Sequence, residues 1–187
     1  YQSMASKFFE HFLWIHAAMD QPGERSDELW DEQDGFFYAV LRLPDGRATR
    51  LKVRSLVGLL SLAACTVLLP DQVRHLPEFM ERVRWLNENR PQLVANIPAL
   101  GQPGIGDLRL LAALNESKLR QLLARMLDED EFLSPYGIRS ISRVHRDQPY
   151  VVHVGGAEYR VDYVPAESDS GLFGGNSNWR GPIWFPI

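Results

Sequence analysis

The chain has 187 residues, 45% hydrophobic and 24% charged, an ordinary globular composition that excludes a disordered protein and fits one domain or part of a larger one. A net charge of −4 with a pI near 5.7 leaves no basic face for nucleic acid. No run reaches the ~18 apolar residues of a membrane span, and a single cysteine, Cys65, excludes an intramolecular disulfide framework.

Residues 3 to 19 carry Met4, Phe8, Leu13, Trp14 and Ile15, with Phe9, Phe12, Ala17 and Ala18 beside them. That spacing predicts an amphipathic helix with a wide apolar face, ended by Gln21-Pro-Gly23. Residues 24 to 35 read as an acidic loop. Phe36 to Leu43 and Ala48 to Val53 read as two strands joined at Pro44-Asp-Gly46, where Pro presets φ and Gly supplies a positive φ. This pair is expected to be a surface ribbon between helices. Ser55 is expected to cap a buried apolar helix running to about Leu69, with Cys65 packed in it as a small hydrophobe.

Pro77 to Asn89 predicts a helix with Phe79, Val83 and Leu86 on one side, and Pro91 to Asp107 a connector rich in Pro and Gly. Asn115 is placed to cap a helix to about Leu127, with Leu119, Leu122, Leu123 and Met126 at helical spacing. Asp128-Glu-Asp-Glu131 reads as a solvated acidic turn. Tyr150 to Val154 and Glu158 to Val164 alternate about Gly155-Gly156, a second hairpin. Helices follow one another without βαβ alternation, which argues against a parallel sheet. The first residues hold no charged stretch followed by an apolar core, so no signal peptide is read. The chain opens without Met and closes within a motif at Ile187, so both ends read as cut.

The last thirty or so residues combine Asp162, Glu167 and Asp169 with Asn176, Asn178, Arg180, Trp179, Trp184 and several glycines. Flat indoles beside carboxylates, amides and a guanidinium suit a sugar: the ring covers the C–H face, and the polar groups bind hydroxyls. Glu167 and Asp169 are the best in-chain carboxylates. Catalysis, orientation of a sugar hydroxyl, pairing with Arg180 and simple loop stabilisation all stay open for them. The five histidines do not cluster: His11 and His16 lie five apart, not four, so a zinc site is not read. Gly171 to Gly175 lacks the Lys-Ser/Thr of a phosphate loop.

Gly174-Gly-Asn-Ser-Asn-Trp-Arg-Gly-Pro-Ile-Trp-Phe-Pro186 resembles the Asn-x-Trp-Arg-Gly-Pro-x-Trp signature of glycoside hydrolase family 63. Leu29-Trp-Asp-Glu-Gln-Asp-Gly-Phe-Phe-Tyr38, Leu51-Lys-Val-Arg-Ser-Leu-Val-Gly-Leu59 and Phe132-Leu-Ser-Pro-Tyr-Gly-Ile-Arg-Ser140 resemble further landmarks of a bacterial glucosidase branch, in the same order. The resemblance implies a mainly α fold, part of an (α/α)6 barrel with short β-hairpin insertions, in which residues 1–187 form a fragment of one catalytic domain. It implies an inverting α-glycosidase for α-linked glucosides or mannosides, using an Asp acid and a Glu base without a cofactor. Placed by these motifs, the acid falls before residue 1 and the base beyond Ile187, so the fragment is expected to be inactive alone. Its partners are then a carbohydrate substrate and the remainder of the parent chain, with no nucleic acid and no membrane.

Trp179 and Trp184 match tryptophans that line the family's sugar pocket, with core packing the alternative for both, and Asn178, Arg180 and Gly181 complete the motif. Arg180 suits a carboxylate such as that of a glycerate, or an internal ion pair. The resemblance places Trp30, Asp31 and Phe36 near the substrate entrance, where they either contact sugar or form a surface loop with a buried Trp anchor, with Tyr136 and Arg139 as lesser candidates. It favours a cytoplasmic location, while the sequence itself leaves the compartment open. The competing readings are a non-catalytic carbohydrate-binding or assembly module, and an unrelated all-α scaffold. A half-ring of helices would leave apolar faces uncovered, so poor solubility alone is expected.

Overall fold

A computed structural model describes residues 1–20, 28–94, 97 and 103–164. In chain order these residues form α1 (Gln2–Asp20), β1 (Trp30–Asp31), β2 (Phe36–Phe37), β3 (Ala39–Arg42), β4 (Ala48–Leu51), a 3-10 segment (Leu56–Ala63) and β5 (Cys65–Leu68). There follow α2 (Pro70–Arg74), α3 (Pro77–Asn89), α4 (Pro91–Val94), β6 (Arg109–Ala112), α5 (Glu116–Met126), β7 (Leu133–Ser134), β8 (Gly137–Ile138), β9 (Tyr150–Val154) and β10 (Ala157–Val161). Contacts divide the chain into two compact units, Tyr1–Pro22 with Ser61–Leu119, and Gly23–Leu60 with Arg120–Ile187.

The first unit is built on α1 and α3. Phe9, Leu13 and Ala17 recur at helical spacing on α1, and Phe79, Val83 and Leu86 on α3; with Leu93 of α4 they form one buried cluster. Phe9 meets Phe79 edge-on at 5.3 Å between ring centroids. Pro77 opens α3, where its missing N–H breaks no helical bond. β5 pairs antiparallel with β6, Cys65 opposite Ala112 and Leu68 opposite Arg109. Asn115 Oδ1 accepts the Lys118 backbone N–H at 2.9 Å at the start of α5.

The second unit packs an aromatic core. Phe36 stacks on Phe132 at 5.8 Å, Phe36 and Tyr38 lie 5.2 Å apart, and Trp30 meets Phe37 edge-on at 4.8 Å. A Cβ on Gly58 would lie 2.3 Å from Phe36 Cε1 and 2.4 Å from the Phe37 carbonyl oxygen. Only glycine lets the backbone approach the Phe36 ring this closely. The expected hairpins form: β3–β4 turns with Gly46 at φ 82°, and β9–β10 with Gly155 and Gly156 at φ 60° and 82°.

The (α/α)6 expectation is overturned. The described residues form a mixed α/β architecture with five separate two-stranded antiparallel sheets. A helical ring needs repeated helices of about a dozen residues, whereas α2 and α4 have five and four residues. The apolar run from Leu56 to Leu69, expected as one buried helix, divides into a 3-10 segment and β5. Glycine at position 58 weakens helix propensity and Thr66-Val67 are β-formers, so the run splits there. β5 is mostly exposed, and Cys65 with it, so the buried-thiol expectation also fails.

Candidate functional site

The second unit holds a dense network of charges. It starts in the turn from β1 to β2, where the Asp34 backbone N–H donates to Asp31 Oδ1 at 2.9 Å and the Gly35 N–H to the Asp31 carbonyl at 2.8 Å. Gly35 takes a φ of 59°, which closes the turn and turns both carboxylates toward β4 and its extension. There Arg50, Lys52 and Arg54, at every second position, all reach these carboxylates.

Each basic group meets acids from another part of the chain. Arg50 Nη1 lies 2.8 Å from Asp31 Oδ2, and its other nitrogens donate to the Glu28 and Trp30 carbonyls. Lys52 Nζ bridges Asp31 at 2.8 Å and Asp34 at 3.0 Å. Arg54 donates through Nε to Tyr38 Oη at 3.2 Å and pairs through Nη1 with Glu131, while Tyr38 Oη donates to Asp34 Oδ2 at 3.0 Å. Glu131 also accepts from Arg125 Nη1 at 2.8 Å and from the Ser142 hydroxyl.

The sequence places Glu131 in a solvated turn, yet its side chain is only 5% exposed. Three donors converge on it, which makes burial of its charge tolerable. Arg139 caps the same turn, donating to the carbonyls of Glu129, Glu131 and Leu133. His145 is fixed at both ring nitrogens: Nε2 accepts the Arg54 backbone N–H at 2.9 Å, and Nδ1 lies 3.0 Å from the Gln148 carbonyl, to which it donates. This bonding requires the neutral ring.

The proton equilibria follow this geometry. Burial works against ionising Asp31, but hydrogen bonds from Lys52 and the Asp34 N–H, with the Lys52 and Arg50 charges, bring its pKa down to about 2. Burial and the neighbouring Asp34 push Tyr38 up to about 12 against the opposing pull of Arg54. Burial, reinforced by the Arg54 charge, lowers His145 below its ordinary value. Asp31 is therefore ionised and the phenol and imidazole neutral near pH 7.

These groups border a pocket of 470 Å³ lined by Asp34, Tyr38, Lys52, Arg54, His145 and Gln148 on its polar side, and by Val144, Pro149 and Tyr150. A second, apolar cavity of 390 Å³ lies between the two hairpins, lined by aliphatic residues of both with Tyr150 and Tyr159. Among the described residues no group of three or more His, Cys, Asp or Glu is placed to hold a metal, and no helix is long and apolar enough to cross a membrane.

Of the residues singled out in the sequence, Trp30, Asp31 and Phe36 fall in this unit. Phe36 is fully buried in the core and Trp30 nearly so, and Asp31 is turned into the ion pairs. They hold up the wall of the pocket and do not line it. Arg139 is buried on backbone carbonyls, while Tyr136 is 87% exposed. Glu167, Asp169, Asn178, Trp179, Arg180, Gly181 and Trp184 lie outside the described residues. Sequence reasoning missed Asp34, Tyr38, Lys52, Arg54, Glu131 and His145. The available signal was basic residues alternating at 50, 52 and 54 next to an acidic hairpin, a pattern for charges gathered on one strand face.

The chain is 46% identical over 198 aligned positions to a Saccharomyces cerevisiae protein described as "Uncharacterized protein YMR196W". The match covers all of this chain and 18% of that protein, so the chain spans under a fifth of the length of the curated relative it matches. No protein-family model matches the chain, and no solved structure matches it.

Proposed function

We propose that this chain is part of an inverting α-glycosidase similar to glycoside hydrolase family 63. It acts on α-linked glucosides or mannosides by acid/base catalysis without a cofactor, with the acid and the base contributed from outside residues 1–187. The observation that carries this reading is the convergence of the landmark segments. Leu29–Tyr38 supplies Asp34 and Tyr38, Leu51–Leu59 supplies Lys52 and Arg54, and both line one pocket. Phe132–Ser140 adjoins them, through the Phe36–Phe132 stack and the Leu56 N–H bond to the Ser140 carbonyl at 2.8 Å. Segments far apart in sequence that share a resemblance and build one polar pocket support a common binding role. The fourth landmark, with Trp179 and Trp184, supplies the sugar-stacking indoles in this reading.

The test is hydrolysis by the full-length protein that contains this chain. It is incubated with p-nitrophenyl α-D-glucoside and α-D-mannoside, and the released sugar is followed by proton NMR. The expected result is hydrolysis with the β-anomer appearing first, as inversion requires. An α-anomer product would refute the inverting mechanism. Sugar binding without hydrolysis would replace the hydrolase with a non-catalytic carbohydrate-binding module, and neither binding nor hydrolysis would overturn the reading altogether.

A further inference from the structure

The 470 Å³ pocket beside Asp34 is within the range of small-molecule sites, roughly 300–1,000 Å³. Its wall is highly charged, and the pairing of those charges decides which ligand it suits. Among the described residues, Lys52 is held between two carboxylates, Asp31 and Asp34. Arg54 is paired with Glu131 and lies 3.7 Å from Asp34. Both cations on the pocket wall are therefore already neutralised. An incoming phosphate or carboxylate would gain no uncompensated positive charge and would face the Asp34 carboxylate, which is one-fifth exposed. Like charges repel strongly in a partly desolvated pocket.

A neutral ligand with hydroxyls meets the opposite situation. Lys52 carries three N–H donors and its two carboxylates account for two of them; the Asp34 carboxylate has about four acceptor positions and takes Tyr38 and Lys52 on Oδ2. The 3.7 Å from Arg54 Nη2 to Asp34 Oδ1 is too long for a hydrogen bond, leaving capacity on both atoms. Donor and acceptor capacity thus alternate along the wall from Lys52 through Asp34 to Arg54. A hydroxyl both donates and accepts, so two adjacent hydroxyls match this alternation where an anion does not. Pro149 and Tyr150 supply an apolar wall for a ligand's C–H face.

We infer that Asp34, Lys52 and Arg54 form a subsite for vicinal hydroxyls of an uncharged sugar, and that the charge pairing of this subsite excludes acidic sugars. The inference deepens the glycosidase reading and rests on it for the class of ligand.

The experiment is calorimetric titration of the full-length protein with D-glucose and with D-glucuronate, which share a ring and differ by a carboxylate. Wild type is expected to bind glucose at least about tenfold tighter. Asp34→Asn is expected to weaken glucose about tenfold, the scale of one charge-assisted hydrogen bond, and to narrow the gap to glucuronate, because the repelling charge is gone. Lys52→Met, at a half-exposed position and with less risk to folding, is expected to weaken glucose to a similar degree. Unchanged glucose affinity in Lys52→Met with an unchanged melting temperature overturns the subsite, as does tighter binding of glucuronate than glucose by wild type. Failure of the protein to hydrolyse any α-glucoside, with the glucose preference and its loss in the variants retained, removes the glycosidase reading and leaves the subsite standing.

Discussion

Replacing Glu131 by Gln tests the charge network most directly. The substitution keeps the shape of the side chain and removes its charge, leaving Arg54 and Arg125 facing an amide. The Glu131 side chain is 5% exposed, and Arg54 and Arg125 are 18% and 32% exposed. Removing one partner of a buried pair costs ~3–5 kcal/mol. Two compensations reduce this: Arg54 keeps Asp34 at 3.7 Å, and Arg125 keeps the Asp34 carbonyl at 2.8 Å. The expected loss is therefore at the lower end, about 3 kcal/mol. It is read from urea denaturation of wild type and variant at neutral pH. Hydrogen exchange of the Ser142 amide, which bonds to the Arg54 carbonyl at 2.8 Å, reports the same region locally. A loss under about 1 kcal/mol, with no faster exchange at Ser142, would refute the view that Glu131 organises the unit.

Asp31 is depressed from an ordinary 3.8 to about 2, so its contribution of about 2 kcal/mol is present above pH 4 and is lost as pH falls toward 2; an acid titration of stability that stays flat through that window contradicts the pairing. His145, held below 6.5 by burial, adds a loss as pH falls through that unfolded value, because the folded state resists the proton; the ring's NMR titration should lie below that of a free histidine. Gly58→Ala forces a methyl against the Phe36 ring and the Phe37 carbonyl and should cost about 3 kcal/mol, whereas Gly155→Ala meets nothing within 4 Å and should cost about 1 kcal/mol of left-handed strain; a larger loss at Gly155 in chemical denaturation would reverse this ranking. Asn115→Ala removes the cap of α5 and should cost about 1 kcal/mol, with faster exchange of the Lys118 amide as its local sign.

What was legible in the sequence is what local chemistry decides. The helix from Pro77 to Asn89 was read to the residue, because Pro marks its start and Phe79, Val83 and Leu86 set its period. Both glycine-turned hairpins formed for the same kind of reason. What failed depends on partners far along the chain. β5 exists because residues 109 to 112 pair with it, and no window around Leu56 to Leu69 contains that information. The barrel expectation fell with that helix, since it was an inference from a resemblance at four segments and not from the intervening pattern.

The candidate site was hidden by the same separation. Asp128-Glu-Asp-Glu131 looks like a solvated turn because composition averages four acids, while the fold treats them differently. Asp130 stays in water and Glu131 is drawn inward by Arg54, a residue 77 positions away. Arg50, Lys52 and Arg54 likewise look like an anion-binding strand face until Asp31, Asp34 and Glu131 are set against them. A stripe of three cations in sequence suggests a negative partner; the same stripe with its counter-charges in place suggests a neutral one. The chemistry of this pocket therefore lies in how its charges are paired, and pairing is a property of the folded chain.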